Sequence, residues 1–391
     1  MTAHGRENDD TPGRENDDTP GRENDDTPGR ENDGTHGGTM NTTLVTSTEG
    51  RTGKTALALA LALAARERGE SVGYMKPKGV RLRSHVGKVL DEDPMLAREL
   101  LDLDAEMHEL EPVVYTPTFV EGAIRGQESP DLLSERVRER FDELSEDRDR
   151  MLIEGGGLTT GAVVGLTDQE LADLLDADVL LVVPYAEPGD VDDVLVAADR
   201  IGDRLVGVIF NGVSDAAFAR VETEVAPMLD GKGIPVLGVI PRDRELSGVT
   251  VGDLADELGA ELLTDAPTDT YVERLLVGAM GRDAALRHFR RTKDAVVVTG
   301  GDRSDVQTVA LESPGVKCLL LTGGLRPSAA VVGTAADRGV PVMMVRTDTL
   351  ATIERAENIV AGGRTRDERS VRRMGELLEE HADIDGLLGE E

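Results

Sequence analysis

Ser47-Thr48-Glu49-Gly50-Arg51-Thr52-Gly53-Lys54-Thr55 lies between a short β-branched run, Thr43 to Thr46, and an alanine-leucine stretch, Thr55 to Arg68. The first predicts a strand. The second predicts a helix, because Ala and Leu are the best helix formers, and a helix that is apolar all round is a buried one. The quoted residues are therefore a strand-to-helix turn. A phosphate chain needs inward-aimed backbone N–H groups, a helix N-terminus behind them, a lysine for the outer phosphates and a hydroxyl for Mg²⁺. Gly50 and Gly53 let the backbone approach, Thr52 lies between the two glycines within the same candidate cradle, Lys54 supplies the charge and Thr55 the hydroxyl. The strict pattern has Gly at position 48, where this chain has Thr48. A variant loop that has kept the form without binding is the bland alternative.

Charge singles out the same region. The chain of 391 residues carries 43 Lys and Arg against 76 Asp and Glu, a net charge of -33. Such a balance disfavours nucleic acid or an anionic membrane as partner, since both require clustered positive charge. Only 2% of residues are aromatic and none is Trp, which removes the usual base-stacking platforms. Between Gly50 and Leu90, however, Arg51, Lys54, Arg66, Arg68, Lys76, Lys78, Arg81, Arg83 and Lys88 face only Glu67 and Glu70. A basic pocket in so acidic a protein points to a small polyanion. Arginine far outnumbers lysine, 36 to 7, and an acidic surface poor in lysine resembles proteins of salt-accumulating haloarchaea.

Outward from the loop the pattern strand, glycine-containing turn, helix repeats. Ser71 to Tyr74, Met151 to Ile153, Val179 to Val183, Leu205 to Phe210 and Val236 to Val239 read as buried strands, with helices at Ser134 to Leu144, Asp168 to Leu175 and Ala216 to Leu229. Short apolar strands without polar alternation indicate a parallel sheet covered on both faces, with ligands at the strands' carboxyl ends. Met151-Leu152-Ile153-Glu154 ends in an acid before Gly155-Gly156-Gly157, so Glu154 is a candidate Mg²⁺ ligand. Lys76-Pro77 places another ammonium near the phosphates, and Asp91 and Asp93 are further metal candidates or simply a solvated acidic loop.

STEGRTGKT, YMKPKG, IEGGG and GVIFNGV, in that order over residues 40–244, resemble the dethiobiotin synthetase-like P-loop fold, which includes the cobyrinic acid amide synthetases. The resemblance implies that Lys54 and Thr55 serve phosphate and Mg²⁺, Lys76 phosphate or a carboxylated substrate, Glu154 Mg²⁺, and Asn211 the nucleotide base. ATP or GTP with Mg²⁺ is the implied cofactor. One departure is visible: Lys78-Gly79 follows Lys76-Pro77 where true dethiobiotin synthetases have a small, Ser-containing loop. Nucleotide binding is thus expected more firmly than ligase chemistry.

A second, smaller α/β unit follows. Val251 to Leu258 and Val272 to Phe289 read as helices, and Ala295 to Val298, Cys318 to Leu321 and Val342 to Val345 as strands. Two of these strands end alike, in Thr299-Gly300-Gly301-Asp302-Arg303 and Thr322-Gly323-Gly324-Leu325-Arg326. The turns are candidate anion nests with Arg303 and Arg326 as clamps, or glycines that only permit tight turns. Residues 245–361 resemble the DRTGG domain, although the literal string is absent. A P-loop domain joined to a DRTGG domain resembles the N-terminal region of long phosphate acetyltransferases, an arrangement that also occurs alone in archaeal phosphotransacetylase family proteins. With only a charged helix and loose acidic tip expected over 362–391, no acetyl transfer is expected.

Residues 5–36 repeat GRENDDTP three times and then GRENDGTH. Nothing in the octapeptide can be buried, so a disordered acidic tail over 1–39 is expected, with calcium binding as a remote alternative. Met40 is a candidate natural start. The longest apolar run, Ala56 to Ala65, is far too short to span a bilayer. A single cysteine, Cys318, excludes an internal disulfide and fits a reducing cytoplasm. The six histidines lack metal-ligand spacing. The sequence therefore predicts a cytoplasmic nucleotide-binding regulator whose DRTGG domain senses a small anionic effector or mediates assembly, as a homo-oligomer or with a separate metabolic enzyme. An ATP-dependent ligase and a scaffold are the alternatives.

Overall fold

A computed structural model describes residues 40–81, 91–362 and 367–389. The expected tail 1–39, and Arg83 and Lys88 of the basic stretch, lie outside the described residues. In chain order the first strands are β1 (Asn41–Ser47), β2 (Val72–Met75), β3 (Lys78–Val80), β4 (Val113–Tyr115), β5 (Arg150–Glu154), β6 (Asp178–Val183), β7 (Leu205–Val213) and β8 (Val236–Pro241). Six of them form a parallel sheet in the order β2-β5-β1-β6-β7-β8, while β3 and β4 pair separately. Successive residues of β1 face opposite sides: Leu44 enters a core with Leu181 and Phe210, Val45 one with Leu57 and Leu59. Burial on both faces is why these strands read as continuous apolar runs.

The alanine-leucine segment is a helix, Lys54–Glu67. One side lies on the sheet. The other is covered by a second helix, Glu368–His381, whose Val371, Met374, Leu377 and Leu378 join the same core. Each such side chain contributes about 1.5–3 kcal/mol on full burial. Among the described residues the segment after this helix is not loose: a further helix, Ile384–Leu388, buries Leu387 and Leu388, and Arg150 holds the Leu388 carbonyl at 2.7 Å. The helix expected over 216–229 is interrupted: Asp215–Arg220 passes through a π turn, Val221–Val225, into Ala226–Asp230. Pro227, which lacks an N–H, sits in the last piece.

The second unit has β9 (Val249–Thr250), β10 (Glu261–Leu262), β11 (Tyr271–Val272), β12 (Arg274–Val277), β13 (Ala295–Gly300), β14 (Val316–Thr322) and β15 (Val342–Met344). Its main sheet runs β10-β15-β14-β13-β12, parallel except for β10. Here the expected helix Val272 to Phe289 is corrected. Its first half is strand, with Leu275 and Leu276 in register with Val296 and Val297, and only Arg282–Phe289 is helical. Gly278 and Gly281 separate the halves, and the β-strand at β13 supplies hydrogen bonds that an isolated helix would have had to make for itself. Among the described residues no helix is long and apolar enough to cross a membrane.

Candidate functional site

β1 lies inside the sheet, flanked by β5 and β6, and its carboxyl end opens into the turn 48–53. The turn bends back at Gly53, with φ of +83°, and at Arg51, with φ of +65°. A β-carbon on Gly53 would lie 2.5 Å from Asn211 Nδ2, so glycine is required there on two counts. Gly50 is exposed, with open space where a side chain would stand. Lys54 Nζ donates to Ser47 Oγ at 2.7 Å across the turn. Burial pulls its ammonium below the ordinary lysine range, against Glu154 and Asp168, which favour the charge.

Behind the loop, Thr55 Oγ1 donates to Glu154 Oε1 at 2.9 Å and Tyr74 OH to Glu154 Oε2 at 2.7 Å. Lys76 Nζ stands among three carboxylates: Asp93 at 2.5 Å, Asp91 at 3.0 Å and Glu154 at 3.1 Å. Burial works against the Lys76 charge, but Glu154, Asp93 and Asp91 outweigh it and hold the ammonium well above its usual range. Burial likewise pushes the Glu154 carboxyl up, with Lys76 opposing, and the Tyr74 phenol well up beside Glu154. Asp91 also caps the helix Glu92–Leu101 through the Asp93 N–H, which fixes its carboxylate.

The sequence-predicted residues Gly53, Lys54, Thr55, Lys76, Asp91 and Glu154 thus meet at one strand end. Lys76, expected on phosphate or a carboxylated substrate, is turned onto the carboxylates of this chain. Asn211, expected at the base, gives its amide to the Thr52 carbonyl at 2.7 Å and so supports the loop. The Thr52 hydroxyl is buried without a hydrogen-bond partner. That orphaned group, and the oxygen set of Thr55, Glu154 and Asp91, fit a phosphate chain with a hard cation. Among the described residues no three His, Cys, Asp or Glu side chains form a ready metal cluster, so a cation here would complete its shell from phosphate and water.

Asp168 was missed. Its carboxylate accepts from Gly156 N at 3.0 Å, Gly157 N at 2.7 Å and Thr46 Oγ1 at 2.6 Å, and Lys78 Nζ lies 3.4 Å away. It ties the glycine loop after Glu154 to β1 and to the strand after Lys76. Both members of the Lys78–Asp168 pair are 1% exposed, and burial lowers the Lys78 ammonium against the pull of Asp168. In sequence Asp168 is only the first-turn acid of a helix with a Thr167–Glu170 capping box, and no local signal marks it as buried.

At the two TGG turns, candidate nests or simple tight turns in the sequence, the polar groups are engaged within the fold. Gly323 N–H bonds Thr347 O and Gly324 N–H bonds Val345 O, both at 2.9 Å, and Gly301 N–H points to Thr322 O at 3.4 Å. Thr299 Oγ1 donates to Gly278 O, and Gln307 Nε2 to the Gly300 and Gly301 carbonyls. Arg303 holds Met280 O and Asp305, whose carboxyl it keeps below the usual range, and Arg326 pairs with Glu261. Thr322 Oγ1 shares a hydrogen bond with Thr349 Oγ1 at 2.7 Å. The bland reading of tight strand-to-helix turns is the one this geometry favours.

Comparison with known proteins bears on both units. A phosphate acetyltransferase of Pseudomonas putida is 28% identical over 344 residues, covering 82% of this chain and 47% of its own. The chain thus spans about half the length of that relative. The ATP-dependent dethiobiotin synthetase BioD of Pseudomonas aeruginosa is 28% identical over 212 residues, 53% of this chain and 92% of its own. A solved structure of the CBS and DRTGG domains of Clostridium perfringens pyrophosphatase, complexed with the activator diadenosine tetraphosphate, matches 36% of this chain and 69% of its own at 17% identity and a TM-score of 0.26. The DRTGG domain family matches residues 253–359. The AAA domain family matches residues 41–250, which hold the phosphate loop, Lys76, Glu154 and the parallel sheet and make up more than half of the chain, so the protein belongs to that family and carries a DRTGG domain behind it.

Proposed function

We propose that this protein is a nucleotide-binding regulator, taking ATP or GTP with Mg²⁺ at the turn 48–55, with the DRTGG domain responding to its occupancy. The observation that carries this reading is the convergence of Lys54, Thr55, Glu154 and the orphaned Thr52 hydroxyl at the carboxyl end of an inner parallel strand. Thr55 and Glu154, with Asp91 beside them, would hold Mg²⁺, which when bound neutralises phosphate charge. Lys54 would grip the outer phosphates, and the Asn211 bond to the loop keeps the backbone in its receiving form. Glu154, ringed by Tyr74, Thr55 and Lys76, is held in place before any ligand arrives.

A ligase reading draws on the match over most of a dethiobiotin synthetase. The residue after Lys76-Pro77 weighs against it. Lys78 is turned inward, donating to Leu166 O at 2.6 Å beside Asp168, so it offers no group to an acceptor substrate. Acetyl transfer is no part of the proposal: the groups gathered here are ligands for phosphate and a cation. The regulator would act on a separate metabolic enzyme or a second copy of itself. Calorimetric titration with ATP and GTP in concentrated KCl, with and without Mg²⁺, tests the reading. Saturable binding of one nucleotide, strengthened by Mg²⁺, is expected, and no saturable binding of either overturns it. ADP release dependent on an added acid or amine would instead establish the ligase.

A further inference from the structure

One helix touches both the phosphate loop and the second TGG turn. Thr349–Gly362 begins against the second TGG turn: Thr349 bonds Thr322, and Thr347, just before the helix, accepts the Gly323 N–H and shares a hydrogen bond with Thr352. About 13 Å further along, by helical rise, the same helix presents Asn358, whose Oδ1 accepts from the Arg51 guanidinium at 3.3 Å. Arg51 belongs to the phosphate loop, where it holds φ of +65°, a conformation that costs a non-glycine residue energy. A glycine at this position would be free of that cost, so the side chain is what the position retains.

The helix is also anchored beyond its end. After residues 363–366 the chain continues into Glu368–His381, which lies on the phosphate-loop helix, with Met374 Cε 3.7 Å from where a β-carbon on Gly53 would be. Gly53 is thus bounded by Asn211 on one side and by Met374, from the segment following the DRTGG domain, on another. Arg373 to Asp243 at 2.9 Å and Asp383 N to Leu237 O at 2.8 Å hold that segment to the nucleotide domain. The DRTGG domain is therefore tied at both its ends to the domain bearing the loop.

We propose that Thr349–Gly362 couples the phosphate loop to the TGG turn, and that Arg51 exchanges Asn358 for the phosphates when nucleotide binds. The exchange is favourable because phosphate, unlike the neutral amide oxygen of Asn358, carries full negative charge and can accept both arms of the guanidinium fork. Releasing Asn358 frees the helix from the loop and alters the support of Thr322 and Gly323. Linkage makes the effect reciprocal: whatever shifts the TGG turn shifts nucleotide affinity by the same factor. This inference rests on the nucleotide reading of the loop and adds how occupancy leaves it.

Hydrogen exchange on the full chain, followed over Thr322–Gly324 and Thr349–Gly362 with and without Mg²⁺ and ATP or GTP, tests it. Nucleotide should change exchange at both segments in the wild type by about threefold or more. Asn358→Ala removes an exposed side chain outside the phosphate site. It should bind nucleotide up to roughly tenfold more tightly, the worth of one lost competing hydrogen bond, and show a smaller exchange response. Arg51→Gly, which also relieves the backbone, should still bind through Lys54 but lose the response. Nucleotide binding by the wild type without change at these amides overturns the coupling, as does an unaltered response in Asn358→Ala. Failure of the wild type to bind any nucleotide overturns the nucleotide reading itself, and the coupling with it.

Discussion

Gly53 concentrates what the loop demands of one residue. Its positive φ costs any side chain about 1–2 kcal/mol, and Asn211 occupies the space a β-carbon would need. Gly53→Ala should therefore keep the circular dichroism of the wild type while losing nucleotide affinity, and an alanine variant that binds as tightly as the wild type would remove the loop from the site. Gly53, Lys54, Thr55 and Glu154 were legible in the sequence because each stands next to a strand end in a pattern with a physical reason. Asp168 was not, since its value comes from Thr46 and Lys78, respectively 122 and 90 positions away. Glu111 is a second such residue. Burial, with Asp91 adding and Arg81 opposing, raises its carboxyl from 4.5 to about 7. The folded state then holds a proton that the unfolded chain has released, so this group's contribution to stability falls as pH rises from about 4.5 to about 7. Glu111→Gln should flatten the thermal stability profile across that interval; an unchanged slope would show that Glu111 ionises normally.

Elements were legible where local preference and burial agree. Asp168–Leu175 and Val251–Leu258 form as the sequence predicts, one with a full capping box and the other with a Thr250 cap. The segment after Val272 did not follow its helical pattern, because β13 offers a parallel edge that local propensity does not see. Leu377, 2% exposed against the phosphate-loop helix, should cost about 2–5 kcal/mol when replaced by alanine, measured by urea unfolding. A loss within experimental error would mean that the terminal helix does not complete this core. Asp168→Ala should cost about 3–5 kcal/mol, because Lys78 would be left buried and unpaired. Lys78→Met in the same chain should recover much of that loss, and an absence of recovery would deny that the pair acts as a unit.

The whole molecule returns on itself: the chain leaves the P-loop domain at β8, builds the DRTGG domain, and comes back to close the first core with Val371, Met374, Leu377 and Leu378. That return is hidden in a segment dense with Arg and Glu, whose four apolar residues at helical spacing stand out little in what the sequence presents as a charged helix. The parallel architecture and two-unit order were legible because buried strands leave apolar runs; the return was not, because it depends on what the alanine-leucine helix still needs on its outer face. Charge has the same two scales. A net charge of -33 describes the surface, while Lys76 is buried among carboxylates and the half-buried Lys54 stands at the same strand end. Nucleotide binding, as proposed, depends on that strand end. Calorimetry of the wild type and Lys54→Ala with Mg²⁺-nucleotide in concentrated KCl measures it directly: roughly 10- to 100-fold weaker binding is expected for loss of a charged phosphate ligand, and equal affinity in the two proteins would contradict it.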